Sequence, residues 1–253
     1  MDDCKNTCKK IWEGYKVYAK GASVIRKGFE QVGTSIITND ALDLSSTFYR
    51  RSESILEHQA KTAWLASAFM SNFPDFFGIE LTYNFTMGDW LIITTALCHD
   101  IGEVSIGDIP DDGNPAHDMK DEAELIEFKS FIKAYSYTDQ KRLLDLYVSF
   151  QKRDYNPARA LYALDKIEAV LTLFLLESVG IKGSIEMKDN PTTRDAFFAR
   201  TIGSDLAADI WGAQMRNQIK GYPTHIAKPI LTLLEVAVHD VRNDEPSWLQ
   251  ESI

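Results

Sequence analysis

A short acidic segment follows an apolar run near the middle of the sequence. The run WLIITTA leads directly into LCHDIGE, so that His99, Asp100 and Glu103 lie within five residues of one another. Adjacent residues on a regular helix point roughly 100° apart, so His99 and Asp100 can reach one ion only near a helix end, which Gly102 would supply. This pattern indicates a site for divalent-metal or acid–base chemistry.

Two further residues of ligand type lie on other predicted helices. The residues 4, 7 and 11 positions after His58 are Thr, Leu and Phe, so the face that carries His58 is predicted to look inward. Asp165 lies among apolar residues at helical spacing, and a carboxylate turned toward a core costs several kcal/mol unless it is paired or bound to metal. The alternative is that Asp165 faces solvent in a stripe with Lys166 and Glu168.

The order of these residues along the chain is stronger evidence for a metal site than any one of them alone. A histidine lies on one helix, a His-Asp pair ends a second, and an aspartate lies inside a third. Two imidazoles and two carboxylates suit a divalent transition ion or zinc, and they leave coordination positions open for water and substrate.

The elements that must position these groups are predicted to be helices, because the apolar period is helical nearly throughout. A capping box at Ser54 starts a helix that runs to about Asn72, and Asn156-Pro157 starts one that runs to about Val179. Other predicted helices cover IWEGYKVYAKGASVIRKGFEQV, TMGDWLIITTALC, KDEAELIEFKSFIKAY, DQKRLLDLYVSFQKR, TTRDAFFARTIGSDLAADIWGAQMRNQIKG and KPILTLLEVAVHDVR. The segment GDIPDDGNPAHD is predicted to be a loop and IKGSIEMKDNP a short hairpin, within one domain over residues 1–253.

Composition narrows the range of partners. The 253 residues carry a formal net charge of −10, which disfavours binding to duplex DNA or to an anionic membrane surface. No apolar run reaches the length of a membrane span. Three cysteines, an odd and low number, together with an N-terminal segment that lacks an apolar core, predict a reducing, cytoplasmic location.

Three segments together resemble a known family. ESILEHQAKTA, ALCHDIGEVSIGDIP and ARALYALDKIEAVL look like the motifs of HD-domain metal-dependent phosphohydrolases, and most like those of the bacterial 5′-deoxynucleotidase branch. The matched region runs from about Arg51 to Glu177. The resemblance implies an all-α HD-domain helical bundle with its core at about 45–180 and a C-terminal helical extension at about 181–253.

The resemblance also implies roles for individual residues. One divalent metal ion (Mn, Co, Ni, Fe, Zn or Mg) would be bound by His58, His99, Asp100 and Asp165. The acidic pair that serves as general base and acid falls on Glu103 and Asp108. The Arg and Glu before the first ligand fall on Arg51 and Glu53, which are assigned to substrate together with the adjacent Arg50.

The chain departs from the family pattern at one position. Close members of the branch carry an Arg-Trp or Gly-Trp pair that helps to bind the nucleotide, and an ungapped reading places Asp43-Leu44 there. Arg26, Arg50 and Arg51 are the candidate replacements for phosphate binding. We therefore expect weaker discrimination between deoxyribose and ribose than in a strict deoxynucleotidase.

The expected function is hydrolysis of a small phosphate ester, a nucleoside 5′-monophosphate, by attack of a metal-activated water. Two alternatives stay open at this point: a regulatory HD module that binds metal or nucleotide without turnover, and a phosphodiesterase or triphosphohydrolase of the wider HD group. A homodimer is compatible with the sequence. His117 is predicted to be a solvated loop residue, His225 and His239 receive no role, and three tryptophans are predicted to be core residues: Trp64, Trp90 and Trp211.

Overall fold

The computed structural model describes residues 4–12, 55–78, 87–101, 116–178, 194–204, 206–242 and 246–250. Within these ranges every regular element is a helix, which confirms the all-α prediction. In chain order the helices are α1 (residues 4–12), α2 (Ile55–Asn72), α3 (Met87–Cys98), α4 (Ala116–Phe131), α5 (Tyr137–Lys152), α6 (Asn156–Ser178), α7 (Arg194–Ile202), α8 (Ala207–Ile219), α9 (Thr224–Val241) and α10 (Ser247–Gln250). A 3₁₀ turn, Ile132–Ala134, follows α4.

Helix α6 is the central element of the bundle. It is 23 residues long and packs against α2, α3, α5, α8 and α9. Its apolar residues are spread around the helix, and Leu161, Leu164, Ile167, Leu171 and Phe174 are all fully buried. A helix that is apolar on several faces has to be covered by neighbours on several sides, so α6 connects the region of α2 and α3 to the C-terminal helices.

The apolar residues form two clusters. The larger one joins residues of α1, α2, α3, α5, α6, α8, α9 and α10. The smaller one joins α3, α4 and α5, and its centre is a stacked pair, Phe128 and Tyr147, with ring centroids 3.9 Å apart. Helix α3 contributes to both clusters, which accounts for the nearly continuous apolar character of its sequence.

Helix α5 has well-defined ends. The side chain of Ser136 accepts a hydrogen bond from the backbone N–H of Asp139 and caps the first turn. At the other end Arg153 adopts a left-handed conformation with φ 55°, and its N–H donates to the carbonyl of Ser149 (2.7 Å). This position most often carries glycine.

Several boundaries differ from the sequence prediction. One predicted C-terminal segment forms two helices, α7 and α8, because the chain turns at Gly203 with φ 69°. Helix α9 begins at Thr224, before the predicted start at Lys228, and Pro229 lies inside it. His117 was predicted to lie in a loop; this was wrong, because it is the second residue of α4. The core prediction was also wrong for Trp211, which is 37% exposed.

Some predictions fall outside the described residues: the N-terminal helix beyond residue 12, the loop before residue 116 and the hairpin at 181–191. Among the helices that are described, none has the length and the hydropathy needed to cross a membrane.

Candidate metal centre

Helices α2, α3 and α6 bring four predicted ligands to one place. His58 lies near the start of α2, His99 and Asp100 directly follow α3, and Asp165 lies near the middle of α6. One ligand atom from each residue lies within 4.8 Å of all the others. We call this group the metal cluster.

The distances within the metal cluster fit an ion. Oδ1 of Asp165 is 2.8 Å from Nε2 of His58 and 3.3 Å from Nε2 of His99. Oδ2 of Asp100 is 3.5 Å and 3.2 Å from the same two nitrogens. Two ligands each about 2.1 Å from an ion, at bond angles of about 90–109°, are about 3.0–3.4 Å apart. Two of the four distances lie within this range and the other two within about 0.2 Å of it, so small shifts of these side chains would accommodate a divalent ion.

Both histidines direct Nε2 toward the aspartate oxygens of the metal cluster. Nδ1 of His99 donates to the carbonyl of Ala96 (2.9 Å), and Nδ1 of His58 donates to Oε2 of Glu168 (2.5 Å). A hydrogen bond from Nδ1 fixes the tautomer and leaves the Nε2 lone pair for a metal. Each imidazole can therefore bind a metal through Nε2, once the metal displaces the proton from that nitrogen.

The partner of His58 was not recognised from the sequence, where Glu168 was named only in the alternative of a solvent-facing stripe with Asp165 and Lys166. In the structure Glu168 is fully buried, and its Oε1 lies 2.8 Å from Nζ of Lys61 and accepts from the hydroxyl of Thr172 (2.7 Å). Burial alone raises the pKa of Glu168, but the hydrogen bond with His58 and the charge of Lys61 lower it to about 2. The available signal was the helical spacing, since Lys61 follows His58 by three residues and Glu168 follows Asp165 by three.

A second residue beside His58 positions the end of α3. In the one amide orientation that satisfies both of its polar atoms, buried Gln59 donates from its nitrogen to the carbonyl of Leu97 (2.9 Å), and its oxygen accepts from the backbone N–H groups of Asp100 (2.9 Å) and Ile101 (3.1 Å). These contacts satisfy backbone groups where the helix ends. They also fix the backbone of Asp100 relative to α2. Because Gln59 directly follows His58, these contacts hold the two predicted ligands His58 and Asp100 in position relative to each other.

Comparison with known proteins gives one match. A family model described as an HD domain matches residues 44–188, more than half of the chain. The chain belongs to the HD-domain family. The match contains all four residues of the metal cluster, and HD domains bind divalent metals, so the chain is assigned to the metal-dependent phosphohydrolases in the broad sense. No curated protein and no solved structure matches the chain.

The electrostatics of the HD domain favour a cation at this point. Burial alone lowers the pKa of His99, but the charge of Asp100 and hydrogen bonds to Asp100 and Asp165 raise it to about 10. Burial alone also lowers the pKa of His58, but the hydrogen bonds that its ring donates to Asp165 and Glu168 raise this pKa well above its usual value. A divalent ion must displace protons from such a site, so metal binding and proton release are coupled.

Five predicted site residues of the HD domain lie outside the described ranges: Arg50, Arg51, Glu53, Glu103 and Asp108. Their roles stay predictions. The two histidines that received no role are remote in sequence from the metal cluster: His225 lies in the first turn of α9, and His239 is half-exposed near Glu235, at 3.8 Å.

Proposed function

We propose that this HD domain hydrolyses phosphate monoesters, with nucleoside 5′-monophosphates as its substrates, and that its metal ion is bound by the metal cluster. The observation that carries the proposal is the convergence of both Nε2 atoms with one oxygen of each aspartate, while both Nδ1 atoms are occupied by other partners. A purely structural cluster has no need to turn four ligand atoms toward one point.

The chain would supply the remaining chemistry from the segment after α3. His58, His99, Asp100 and Asp165 would hold a divalent ion, which would supply a Lewis acid for a phosphoryl oxygen and would lower the pKa of a water from 15.7 toward about 7. Glu103, two residues after the last described residue of that segment, takes a proton from the attacking water. Asp108 protonates the leaving alkoxide, which requires a pKa raised by the neighbouring negative charges.

The overall reaction is then balanced. The water oxygen forms a bond to phosphorus, the P–O bond to the nucleoside breaks, and the products are inorganic phosphate and the nucleoside. Arg51 is proposed to balance the phosphate charge through a bidentate contact, with Arg50 and Glu53 beside it. Because Asp43-Leu44 replaces the nucleotide-binding pair of the deoxynucleotidase branch, the ratio of kcat/KM for dAMP to that for AMP is expected to be smaller than in a strict deoxynucleotidase.

The experiment is phosphate release from a panel of substrates by chelator-stripped protein supplied separately with Mn²⁺, Co²⁺, Ni²⁺, Fe²⁺, Zn²⁺ and Mg²⁺. The panel contains nucleoside mono-, di- and triphosphates, sugar phosphates and a phosphodiester. A matched control is His239→Ala, which removes a half-exposed histidine from α9 and should leave turnover unchanged.

Each pattern of results has a definite reading. Metal-dependent release from monophosphates supports the proposal. Turnover confined to triphosphates or diesters would place the chain in the wider HD group instead. Tight metal binding with no turnover of any substrate would identify a regulatory binding module.

A further inference from the structure

A lysine lies at the solvent edge of the metal cluster. Lys166 directly follows Asp165 on α6, and its Nζ is 3.0 Å from Oδ2 of Asp165. The other oxygen of that carboxylate, Oδ1, is the one that contacts His58 and His99. The side chain of Lys166 is 47% exposed, so it borders solvent next to that carboxylate.

An aromatic ring connects this lysine to a second cation. Nζ of Lys166 is 5.2 Å from the ring centroid of Tyr162, and Cζ of Arg153 is 4.0 Å from the same centroid. Phe150 packs against Tyr162 at 5.7 Å and against His99 at 5.4 Å. Tyr162 therefore contacts both cations, and Phe150 connects its ring to His99 of the metal cluster.

The conformation of Arg153 is unusual for its residue type. In the described part of the chain it is the one non-glycine residue with a positive φ, 55°. A side chain in the left-handed region has a steric cost that glycine avoids. Residues kept in such conformations are concentrated at functional sites, and an observed outlier is a reason to look for a role.

The backbone of Arg153 is fixed, and its charge is available. Its N–H donates to Ser149 (2.7 Å) and its carbonyl accepts from Nε of Arg159 (2.9 Å). Within the described ranges no ion pair joins its exposed guanidinium to a carboxylate. Glycine or asparagine would end α5 at lower cost, so the fold alone does not explain an arginine at this position.

We propose that Lys166 and Arg153, aligned by Tyr162, form an anion subsite that binds the phosphate group of the substrate beside the metal cluster. The proposal rests on the proposed function, since that function makes the anion a phosphate ester. Lysine acts as a point charge toward the phosphoryl group, and the planar fork of arginine suits bidentate contact with its oxygens. These two cations add to the arginines predicted upstream of α2.

The decisive variant is Arg153→Gly, because Arg153 does not contact any residue of the metal cluster. It removes the charge and relieves the left-handed conformation, so the Tm should be equal to or above that of the wild type. Metal content by elemental analysis should be unchanged. Binding of inorganic phosphate to the Mn²⁺-loaded protein should weaken about tenfold, the scale of one charge-assisted contact. A residue with only a structural role would not combine unchanged or higher stability with weaker phosphate binding.

Two further variants complete the set. Lys152→Gln removes one exposed positive charge from the adjacent position and serves as the matched control, with phosphate affinity like that of the wild type. Lys166→Gln should also weaken phosphate binding about tenfold, and its metal content is measured in parallel because Lys166 pairs with Asp165.

The proposal is overturned if the metal-loaded wild type does not bind inorganic phosphate, or if Arg153→Gly binds it as tightly as the wild type. The proposed function is tested separately by turnover of the wild type. Phosphate binding that depends on Arg153 without ester hydrolysis would support the subsite and refute the monoesterase. Ester hydrolysis by the wild type, together with wild-type phosphate binding by Arg153→Gly, would support the monoesterase and refute the subsite.

Discussion

Two clusters of polar side chains each contain one carboxylate of α6, and they differ in which groups neutralise their charges. The C-terminal cluster consists of Glu177, Asp209, Arg242 and Trp248. Arg242 donates to both oxygens of Glu177 (2.9 and 2.7 Å) and to Asp209, which also accepts from the Trp248 indole (2.8 Å) and the Ser204 hydroxyl (2.7 Å). Both carboxylates of this cluster are thus met by the chain's own donors.

The metal cluster is organised in the opposite way. Its two carboxylates approach two imidazole nitrogens that are prepared as acceptors, because Nδ1 of each ring already donates elsewhere. Lys166 pairs with the outer oxygen of Asp165, but Oδ1 of Asp165 and Oδ2 of Asp100 face the imidazole nitrogens, and there only protons or a metal ion can satisfy them. A cluster that is complete by itself stabilises the fold, whereas a cluster that needs a cation is able to bind one.

The largest expected effect is that of removing a ligand. Asp165→Ala should lose about one equivalent of divalent metal, because the buried carboxylate contacts both histidines of the metal cluster. The variant should also lose the rise in stability that metal gives the wild type, about 2.7 kcal/mol at 100 times the Kd. Elemental analysis and thermal unfolding with and without metal measure both effects. Full metal content in the variant would refute the cluster as described.

Removing the cation of the C-terminal cluster should lower the stability of the fold and leave the metal content unchanged. Arg242→Ala leaves the buried carboxylates of Glu177 and Asp209 without their cation, and removal of one partner from a buried ion pair costs about 3–5 kcal/mol. Metal stoichiometry should stay that of the wild type, as measured in the folded protein at low temperature. If the variant lost its metal instead, the two clusters would not be independent.

Substitution of Glu103, the general base predicted after α3, should lower turnover and leave metal binding unchanged. Glu103→Gln is expected to retain the metal and to lose about 10²-fold or more in kcat, the scale of general acid–base catalysis. Metal content and steady-state kinetics on the best monophosphate test this. A wild-type kcat would make Glu103 a structural residue and favour the binding module.

The smallest effect in this series is that of the residue behind a ligand. Glu168→Gln keeps the size of the side chain but weakens its hydrogen bond with Nδ1 of His58. Loss of such a partner typically costs 10–100-fold in metal affinity. Titration of stripped protein with Zn²⁺ against a competing chelator measures it. Asp145→Asn, on the neighbouring α5, is the control, and an equal loss there would assign the effect to general charge.

The sequence predicted the parts of this molecule that depend on local signals. Helical period and capping residues placed α2, α3 and α6 to within one or two residues, and ligand spacing identified all four members of the metal cluster. The start of α9 was missed because proline usually begins a helix, whereas Pro229 lies inside this one. Lys61 and Glu168 were missed because helical spacing shows which residues share a face with a ligand, but not which faces of two helices meet.

The distance along the chain between the metal ligands has a kinetic consequence. His58 and Asp165 are 107 positions apart, so the pocket between them forms only after α2 and α6 have met, and closure of so long a loop is entropically slow. An ion that recognises only this late arrangement should leave the refolding rate unchanged and slow unfolding. In stopped-flow experiments Mn²⁺ should therefore shift only the unfolding limb of the chevron. The bound ion would lengthen the lifetime of the native state without helping the chain to reach it.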